Sequence, residues 1–194
     1  MKQVVFQKFP NPVFIETGTY VGDGVQAALD FGFEDVHSIE LSEKLYDHCC
    51  RRFAGDNRVH IHCGDSTEVL EPLIADIAER ITFWLDGHFH PYGIQRHDNI
   101  PKSAWGKTPC DCTNPGRCPH WSPLFRELVA IAGHARNDHT ILIDDVREFK
   151  TIHYEGDIEK VKRSLLAINP EYIFTYHEGA APNDILAASI EQPK

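Results

Sequence analysis

The segment Phe14 to Gly24, FIETGTYVGDG, constrains the fold of this chain more than any other stretch. A short apolar run ends in an acid, Glu16, and three glycines follow with the spacing Gly-x-x-x-Gly-x-Gly. Glycine lets the backbone turn sharply and lets a ligand approach where a Cβ would clash. Helical periodicity comes next, so a strand, a glycine turn and a helix are predicted to cradle a nucleotide. A carboxylate at the strand end suits a cationic or hydroxyl-bearing ligand better than a pyrophosphate.

Apolar runs alternate with amphipathic segments along the rest of the chain. The predicted strands cover residues 13–16, 36–40, 59–62, 81–85, 140–143, 172–176 and 185–189. Strands that alternate with helices predict an α/β fold, a doubly wound and mostly parallel sheet of about seven strands. The last two strands have no room for a helix between them, so they should pair antiparallel and provide one antiparallel edge strand.

The chain length favours one domain over residues 1–194. Residues at about 86–121 form a Cys- and His-rich insertion without clear periodicity, and a connection of that length is usually functional. The formal net charge of -10 makes nucleic acid a poor partner. No apolar run approaches the ~20 residues that cross a bilayer, and the first residues are too weakly apolar for a signal peptide, so we expect no membrane contact and a cytoplasmic location. A homodimer stays open, since apolar faces around a lid often pair.

Acids also end other predicted strands. Glu40 ends the second strand, Asp86 follows the fourth, and the pair Asp144-Asp145 follows the fifth. The carboxyl ends of neighbouring parallel strands meet at one crevice, where ligands bind in such sheets. We therefore expect these carboxylates to surround one ligand site.

The order of these motifs resembles that of class I S-adenosylmethionine (SAM)-dependent methyltransferases over nearly the whole chain. The resemblance implies a seven-stranded Rossmann-like sheet and a SAM site. Glu40, with Leu41 beside it, matches the acid that grips the ribose hydroxyls, because a carboxylate offers two acceptor oxygens to a diol. Asp65 matches the aspartate that accepts from the adenine amino group. The other residues that the resemblance places at the donor are Glu16, Thr17, Gly18, Thr19, Tyr20, Gly22, Gly64, Ser66 and Asp86.

Asp86, Asp144 and Asp145 provide the hard oxygen ligands that suit magnesium or another divalent cation. This arrangement resembles the metal-dependent O-methyltransferases of the catechol and macrocin types. The resemblance implies that the metal binds the acceptor hydroxyl and lowers its pKa. The alternative is structural: Asp144 or Asp145 caps a turn or pairs with Arg147.

His88 lies directly beyond Asp86 and is the candidate general base, because the pKa of histidine is near working pH. The alternative is an ordinary histidine of a surface loop. We assign Asp86 to the same catalytic centre, since it follows the strand at which the methyl donor would meet the acceptor.

Four further residues of the insertion form a candidate zinc site: Cys110, Cys112, Cys118 and His120. Zinc takes tetrahedral sets of thiolate and imidazole ligands. Their spacing, Cys-x-Cys-x5-Cys-x-His, is not one of the common finger patterns. Free thiols in a lid that covers the substrate, or a disulfide, remain alternatives.

The sequence thus predicts a SAM-dependent methyltransferase that methylates an oxygen of a small-molecule acceptor with the help of a divalent metal. One alternative is a non-catalytic protein that binds SAM or a nucleotide on the same fold, because fold alone does not give function. A nicotinamide-dependent oxidoreductase is a weaker alternative, since its usual Gly-x-Gly-x-x-Gly spacing is absent here.

Overall fold

The computed structural model describes residues 2–87, 122–150 and 157–191. Two 3-10 helices, Lys2–Lys8 and Val146–Lys150, were not predicted. Every predicted strand is present, with its ends within one residue of the expected position. The strands are β1 (Val13–Thr17), β2 (Asp35–Glu40), β3 (Val59–Cys63), β4 (Ile81–Leu85), β5 (Thr140–Ile143), β6 (Ile173–His177) and β7 (Ile185–Ser189). The α-helices are α1 (Asp23–Asp30), α2 (Glu43–Arg52), α3 (Ser66–Ile74), α4 (Leu124–Ala132) and α5 (Ile158–Ile168).

The strands form one seven-stranded sheet in the order β3-β2-β1-β4-β5-β7-β6. Strands β1 to β5 pair in parallel, whereas β7 runs antiparallel to both of its neighbours. The predicted α/β fold with a mostly parallel sheet is therefore confirmed. The reversed strand β7 lies one position in from the edge, and β6 forms the edge beside it.

Two hydrophobic cores cover the two faces of the sheet. Because side chains alternate along a strand, Phe14 enters the core under α1 and α2, and Ile15 enters the core under α3, α4 and α5. Every residue of β1 is buried. Such a strand, buried on both faces, is typical of parallel sheets covered by helices. In the described part of the chain, none of the helices combines the length and the apolar character that crossing a bilayer requires.

Aspartate side chains cap the starts of two helices. The carboxylates of Asp65 and Asp157 accept the backbone N–H groups of Thr67 and Lys160, so both acids cap their helices. Ser42 precedes α2 without a side-chain hydrogen bond to it. Ser42 and Asp65 closely follow β2 and β3, so the first turns of α2 and α3 lie at the carboxyl edge of the sheet.

Candidate active site

The glycine turn after β1 packs directly against the end of β4. Gly18 has φ +88°, and a Cβ added there would lie 2.6 Å from the carbonyl oxygen of Asp86. The backbone N–H of Asp86 in turn donates to the carbonyl of Thr17 at 3.1 Å. Both the left-handed backbone and the close approach require glycine. The turn and the strand end therefore form one rigid floor for a ligand.

Glu40 is fixed between this turn and the start of α2. Its Oε2 accepts the N–H of Tyr20 at 2.7 Å, and its Oε1 accepts the N–H of Ser42 at 2.8 Å. Burial raises the pKa of Glu40, and the backbone N–H groups of Ser42, Tyr20 and Leu41 oppose that rise. A carboxylate has about four acceptor positions, so these bonds orient the group and leave acceptor capacity for a ligand. The neighbouring Leu41 is 48% exposed and offers an apolar surface beside it.

Glu16 lies beneath the glycine turn, where it is only 2% exposed. Its Oε2 accepts the hydroxyl of Ser38 at 2.6 Å, and that hydroxyl also contacts Oγ1 of Thr19 at 2.6 Å. A Cβ added at Gly24 would overlap the Glu16 carboxylate. Burial, with smaller contributions from Asp86 and other nearby acids, raises the pKa of Glu16 well above its usual range. Glu16 therefore supports the turn from within the fold.

Asp65 caps α3 and lies next to the end of β2. Its Oδ1 accepts both the backbone N–H of Thr67 at 2.9 Å and the Thr67 hydroxyl at 2.8 Å. Gly64, at φ +148°, donates its N–H to the carbonyl of Glu40 at 2.9 Å. The structure thus brings the motif after β3 beside Glu40, with one oxygen of Asp65 engaged in the cap.

A buried acid that the sequence analysis missed lies in the same crevice. Glu127 of α4 is 1% exposed, and its Oε1 accepts the hydroxyl of Ser66 at 2.6 Å. A Cβ on Gly87 would lie 3.1 Å from both this oxygen and Oγ1 of Thr17. Among the described residues, the buried Thr17 hydroxyl has no hydrogen-bond partner, which is a costly state that a ligand can relieve. A cleft beside these groups is lined by Leu85, Gly87, Ser122, Pro123, Leu124, Glu127, Ile143 and Asp144.

The helical periodicity of α4 could have identified Glu127 as a buried site residue. Positions 124, 127, 128 and 131 share one face of α4, and all four residues are buried. Glutamate is the one charged residue in this otherwise Leu and Ile stripe. Buried carboxylates need partners, so a glutamate in such a stripe indicates a polar site beneath it.

The structure brings the three candidate metal ligands together. One carboxylate oxygen each from Asp86, Asp144 and Asp145 lies within 4.8 Å of the others. Asp144 and Asp145 are 1% and 4% exposed, and Asp145 has φ +55°, a strained conformation for a residue with a side chain. Oδ1 of Asp144 accepts the backbone N–H of Asp145 at 2.8 Å. A set of carboxylate oxygens in which two of the three residues are buried fits a hard divalent cation.

Arg147 also approaches this acidic centre. Its Nη1 lies 2.5 Å from Oδ1 of Asp145 and also contacts Asp184, whose side chain is fully buried. The acids raise the pKa of Arg147, although burial acts against them. Asp145 therefore pairs with Arg147, as the structural alternative expects, and it also belongs to the carboxylate cluster.

Several predicted site residues lie outside the described residues. They are His88, the insertion at about 86–121 beyond Gly87, and the candidate zinc ligands Cys110, Cys112, Cys118 and His120. Within the described part of the chain, Cys49, Cys50 and Cys63 are free thiols. Cys49 is buried and Cys63 is exposed.

Solved methyltransferase structures share this fold. An O-methyltransferase from Bacillus cereus in complex with SAH matches with a TM-score of 0.60 at 15% identity, over 96% of this chain and 78% of that one. TomG of Streptomyces achromogenes, an O-methyltransferase involved in tomaymycin synthesis, was solved with SAM. It matches with a TM-score of 0.57 at 12% identity, over 97% of this chain and 78% of that one.

SAH-bound methyltransferase PaMTH1 of Podospora anserina gives a TM-score of 0.57 at 12% identity, over 98% of this chain and 76% of that one. No protein-family model matches the chain, and no curated protein matches it. Identities this low establish the fold alone, and that fold is the one expected from the resemblance to class I methyltransferases.

Proposed function

We propose that this chain is a SAM-dependent methyltransferase that methylates an oxygen of a small-molecule acceptor with the assistance of a divalent cation. The observation that carries the proposal is the Glu40 carboxylate, which backbone N–H groups orient at the end of β2 beside the glycine turn. The fold around it is the one in which the Bacillus cereus and Streptomyces achromogenes proteins were solved with SAH and SAM.

In this proposal, different described residues bind different parts of the donor. Glu40 would accept hydrogen bonds from the ribose hydroxyls, and the exposed Leu41 would contact the adenine ring. Gly18, whose left-handed backbone packs against Asp86, would hold the turn in place beneath the methionine portion. The buried Thr17 hydroxyl, which makes no hydrogen bond within the described part of the chain, would donate one to the ligand at the floor of the site. The remaining predicted donor residues, among them Asp65 and Ser66, stay predictions.

The acidic centre would hold the divalent cation through Asp86, Asp144 and Asp145. Such a cation, when bound, lowers the pKa of a coordinated acceptor hydroxyl. Asp86 joins this centre to the donor site, since its backbone carbonyl faces Gly18. The methyl group would leave the sulfonium sulfur for the acceptor oxygen, and the hydroxyl proton would go to a base, for which His88 stays the candidate. Much of the rate would come from positioning.

The cleft between α4 and the ends of β4 and β5 is the proposed acceptor site. Glu127 and Asp144 line it together with apolar groups from Leu85, Leu124 and Ile143. A few polar groups in an apolar surround are typical of small-molecule sites. The insertion at about 86–121 begins at the mouth of this cleft, so we propose that it covers and selects the acceptor.

A specific contact supports a second candidate function. The ion pair between Arg147 and Asp145 neutralises part of the acidic centre. A protein that binds SAM without catalysis would use the acids in this way, as structural partners of Arg147. This alternative shares the donor site and differs in the role of the carboxylates.

One experiment separates the two candidates. The purified protein is incubated with SAM and a panel of phenols, catechols and sugars, with Mg²⁺ or with EDTA, and release of SAH is measured. The methyltransferase proposal expects acceptor-dependent release of SAH that EDTA reduces. Binding of SAM without release of SAH on any acceptor favours the binding protein, and acceptor-dependent release that EDTA leaves unchanged removes the metal from the proposal.

A further inference from the structure

A second cluster of metal-ligating side chains lies away from the crevice, on one face of the sheet edge formed by β2 and β3. We call Asp35, His37, His60 and His62 the histidine face. His37 is the register partner of His60, and His62 is the partner of Ile39, two positions further along β2. Because side chains alternate along strands, all four point to the same side of the sheet.

The distances within the histidine face match those of a coordination sphere. Oδ1 of Asp35 lies 3.0 Å from Nε2 of His37 and 3.6 Å from Nε2 of His60. Tetrahedral zinc with bonds of about 2.0–2.1 Å separates its ligand atoms by about 3.3 Å, a value that these two distances bracket. The ligand atoms of all three residues lie within 4.8 Å of one another.

His62 is placed to hydrogen-bond to the ligand His37 without binding the metal itself. Its Nε2 lies 3.0 Å from Nδ1 of His37, on the other side of the ring from Asp35. A histidine that binds metal through one nitrogen almost always donates its other N–H to a nearby acceptor, which fixes the ring and its tautomer. With Nε2 of His37 on a metal, its Nδ1–H would donate to His62.

The histidine face is accessible to a cation from solvent. The side chains of Asp35 and His60 are 45% and 49% exposed, whereas that of His37 is 14% exposed. The partly exposed Asp35 and His60 therefore leave the less exposed His37 reachable by an ion from solvent.

We propose that Asp35, His37 and His60 bind a divalent transition metal of the zinc class, with His62 as the orienting partner and water in the open position. A set of imidazole nitrogens and one carboxylate oxygen suits zinc better than magnesium. Asp35 and Glu40 are five residues apart on β2, roughly 16 Å along an extended strand. This metal would therefore lie far from the donor site and would hold the edge strand β3 to β2.

The test measures Zn²⁺ binding to the full chain by calorimetry, after chelator treatment. The background carries Cys110→Ser, Cys112→Ser and Cys118→Ser, so that thiols of the insertion do not bind the added zinc. His60→Ala and Asp35→Asn change ligands whose side chains are about half exposed, where folding tolerates change. His48→Ala alters an exposed histidine of α2 and is the matched control. Circular dichroism verifies that each variant is folded.

With excess Mg²⁺ present to occupy the acidic centre, we expect one zinc equivalent in the background protein and in His48→Ala. Affinity should fall on the order of tenfold or more in His60→Ala and Asp35→Asn. With Co²⁺ as the probe, the visible absorption of a tetrahedral site should appear without the near-ultraviolet band of thiolate ligands. Equal zinc affinity in His60→Ala and His48→Ala would overturn the proposal, and so would the absence of zinc binding in the background protein. SAH affinity should be the same in all of these proteins, so the outcome is independent of the proposed function.

Discussion

The backbone N–H of Tyr20 donates a hydrogen bond to Oε2 of Glu40 at 2.7 Å. This contact ties the glycine turn after β1 to the end of β2, so the acid and the turn that are proposed to hold the donor are positioned as one unit. Tyr20 adopts φ +52° to make it, an uncommon conformation for a residue with a side chain. Strain of this kind persists where surrounding structure enforces it, often at ligand sites.

Replacing Glu40 tests the donor site. Glu40→Ala removes the acceptor of the ribose hydroxyls, and a hydrogen bond to a charged group contributes about 1.5–3 kcal/mol. SAH affinity measured by calorimetry should therefore fall about 10- to 100-fold. Glu43→Ala, at an exposed position of α2, is the control and should bind SAH as the wild type does. Equal affinity of both variants would remove Glu40 from the site.

The acidic centre is tested by isosteric changes. Asp86→Asn and Asp144→Asn weaken cation binding but keep the shape of the side chains, and the amide oxygen at position 144 can still accept the N–H of Asp145. Metal ions supply several kcal/mol of charge stabilisation, so turnover should fall about 100-fold or more, while SAH affinity changes less than about twofold. Asp47→Asn, on the exposed face of α2, is the control. Unchanged turnover in both site variants would mean that the acids have a structural role as partners of Arg147 and do not act in catalysis.

Alanine substitutions at two glycines distinguish the cost of a left-handed backbone from the cost of a steric clash. Gly18 and Gly32 have φ +88° and +92°, but a Cβ at Gly18 would meet the Asp86 backbone at 2.6 Å, whereas nothing lies within 4 Å of one at Gly32. Gly18→Ala should lower the free energy of unfolding by about 1–3 kcal/mol more than Gly32→Ala, since only it must push β1 from β4. Urea denaturation measures both. Equal losses of unfolding free energy in the two variants would mean that backbone strain alone accounts for the cost, and that the turn does not pack closely against β4.

Much of the fold follows from local patterns in the sequence. Strand β1 and its acid are visible because a buried parallel strand is a continuous apolar run, and glycine marks the turn after it. The two 3-10 helices were missed, since short 3-10 segments carry neither the period of a helix nor that of a strand. The place of β7 between β5 and β6 depends on pairings between distant segments, which local periodicity does not encode.

The site was foreseeable where one residue at a strand end sufficed and was missed where distant residues combine. Glu40 and Asp86 follow from their positions alone. Glu127 acquires its role from Ser66, 61 residues away, whose hydroxyl binds it inside the fold. The histidine face likewise needs the register of β2 against β3, because neither strand alone shows that His37 and His60 are neighbours.

The buried His139 should make stability sensitive to mild acid. Its Nδ1 accepts the N–H of Ile81 at 3.1 Å, and burial, with a smaller contribution from His134, lowers its pKa from 6.5 to about 4. Between these values the unfolded chain binds the proton more readily, so this stability is complete above pH 6.5 and is lost as the pH falls toward 4. The loss between pH 7 and 5 should reach roughly 2 kcal/mol.

His139→Asn retains an acceptor for Ile81 and removes the titrating ring. Urea midpoints measured at pH 7 and pH 5 should differ less in this variant than in the wild type. His48→Ala should follow the wild type, because that ring is exposed in the folded protein as well. If the variant and the wild type lose stability in parallel, other groups govern the acid response.

Calorimetric titration of the wild-type protein with SAH, and separately with NAD⁺, tests the central claim most directly. We expect saturable binding of SAH at one site and no binding of NAD⁺, because the Glu16 carboxylate at the end of β1 and the Gly-x-x-x-Gly-x-Gly spacing after it do not suit a pyrophosphate. Binding of NAD⁺ in place of SAH, or no heat from either compound, would contradict the account.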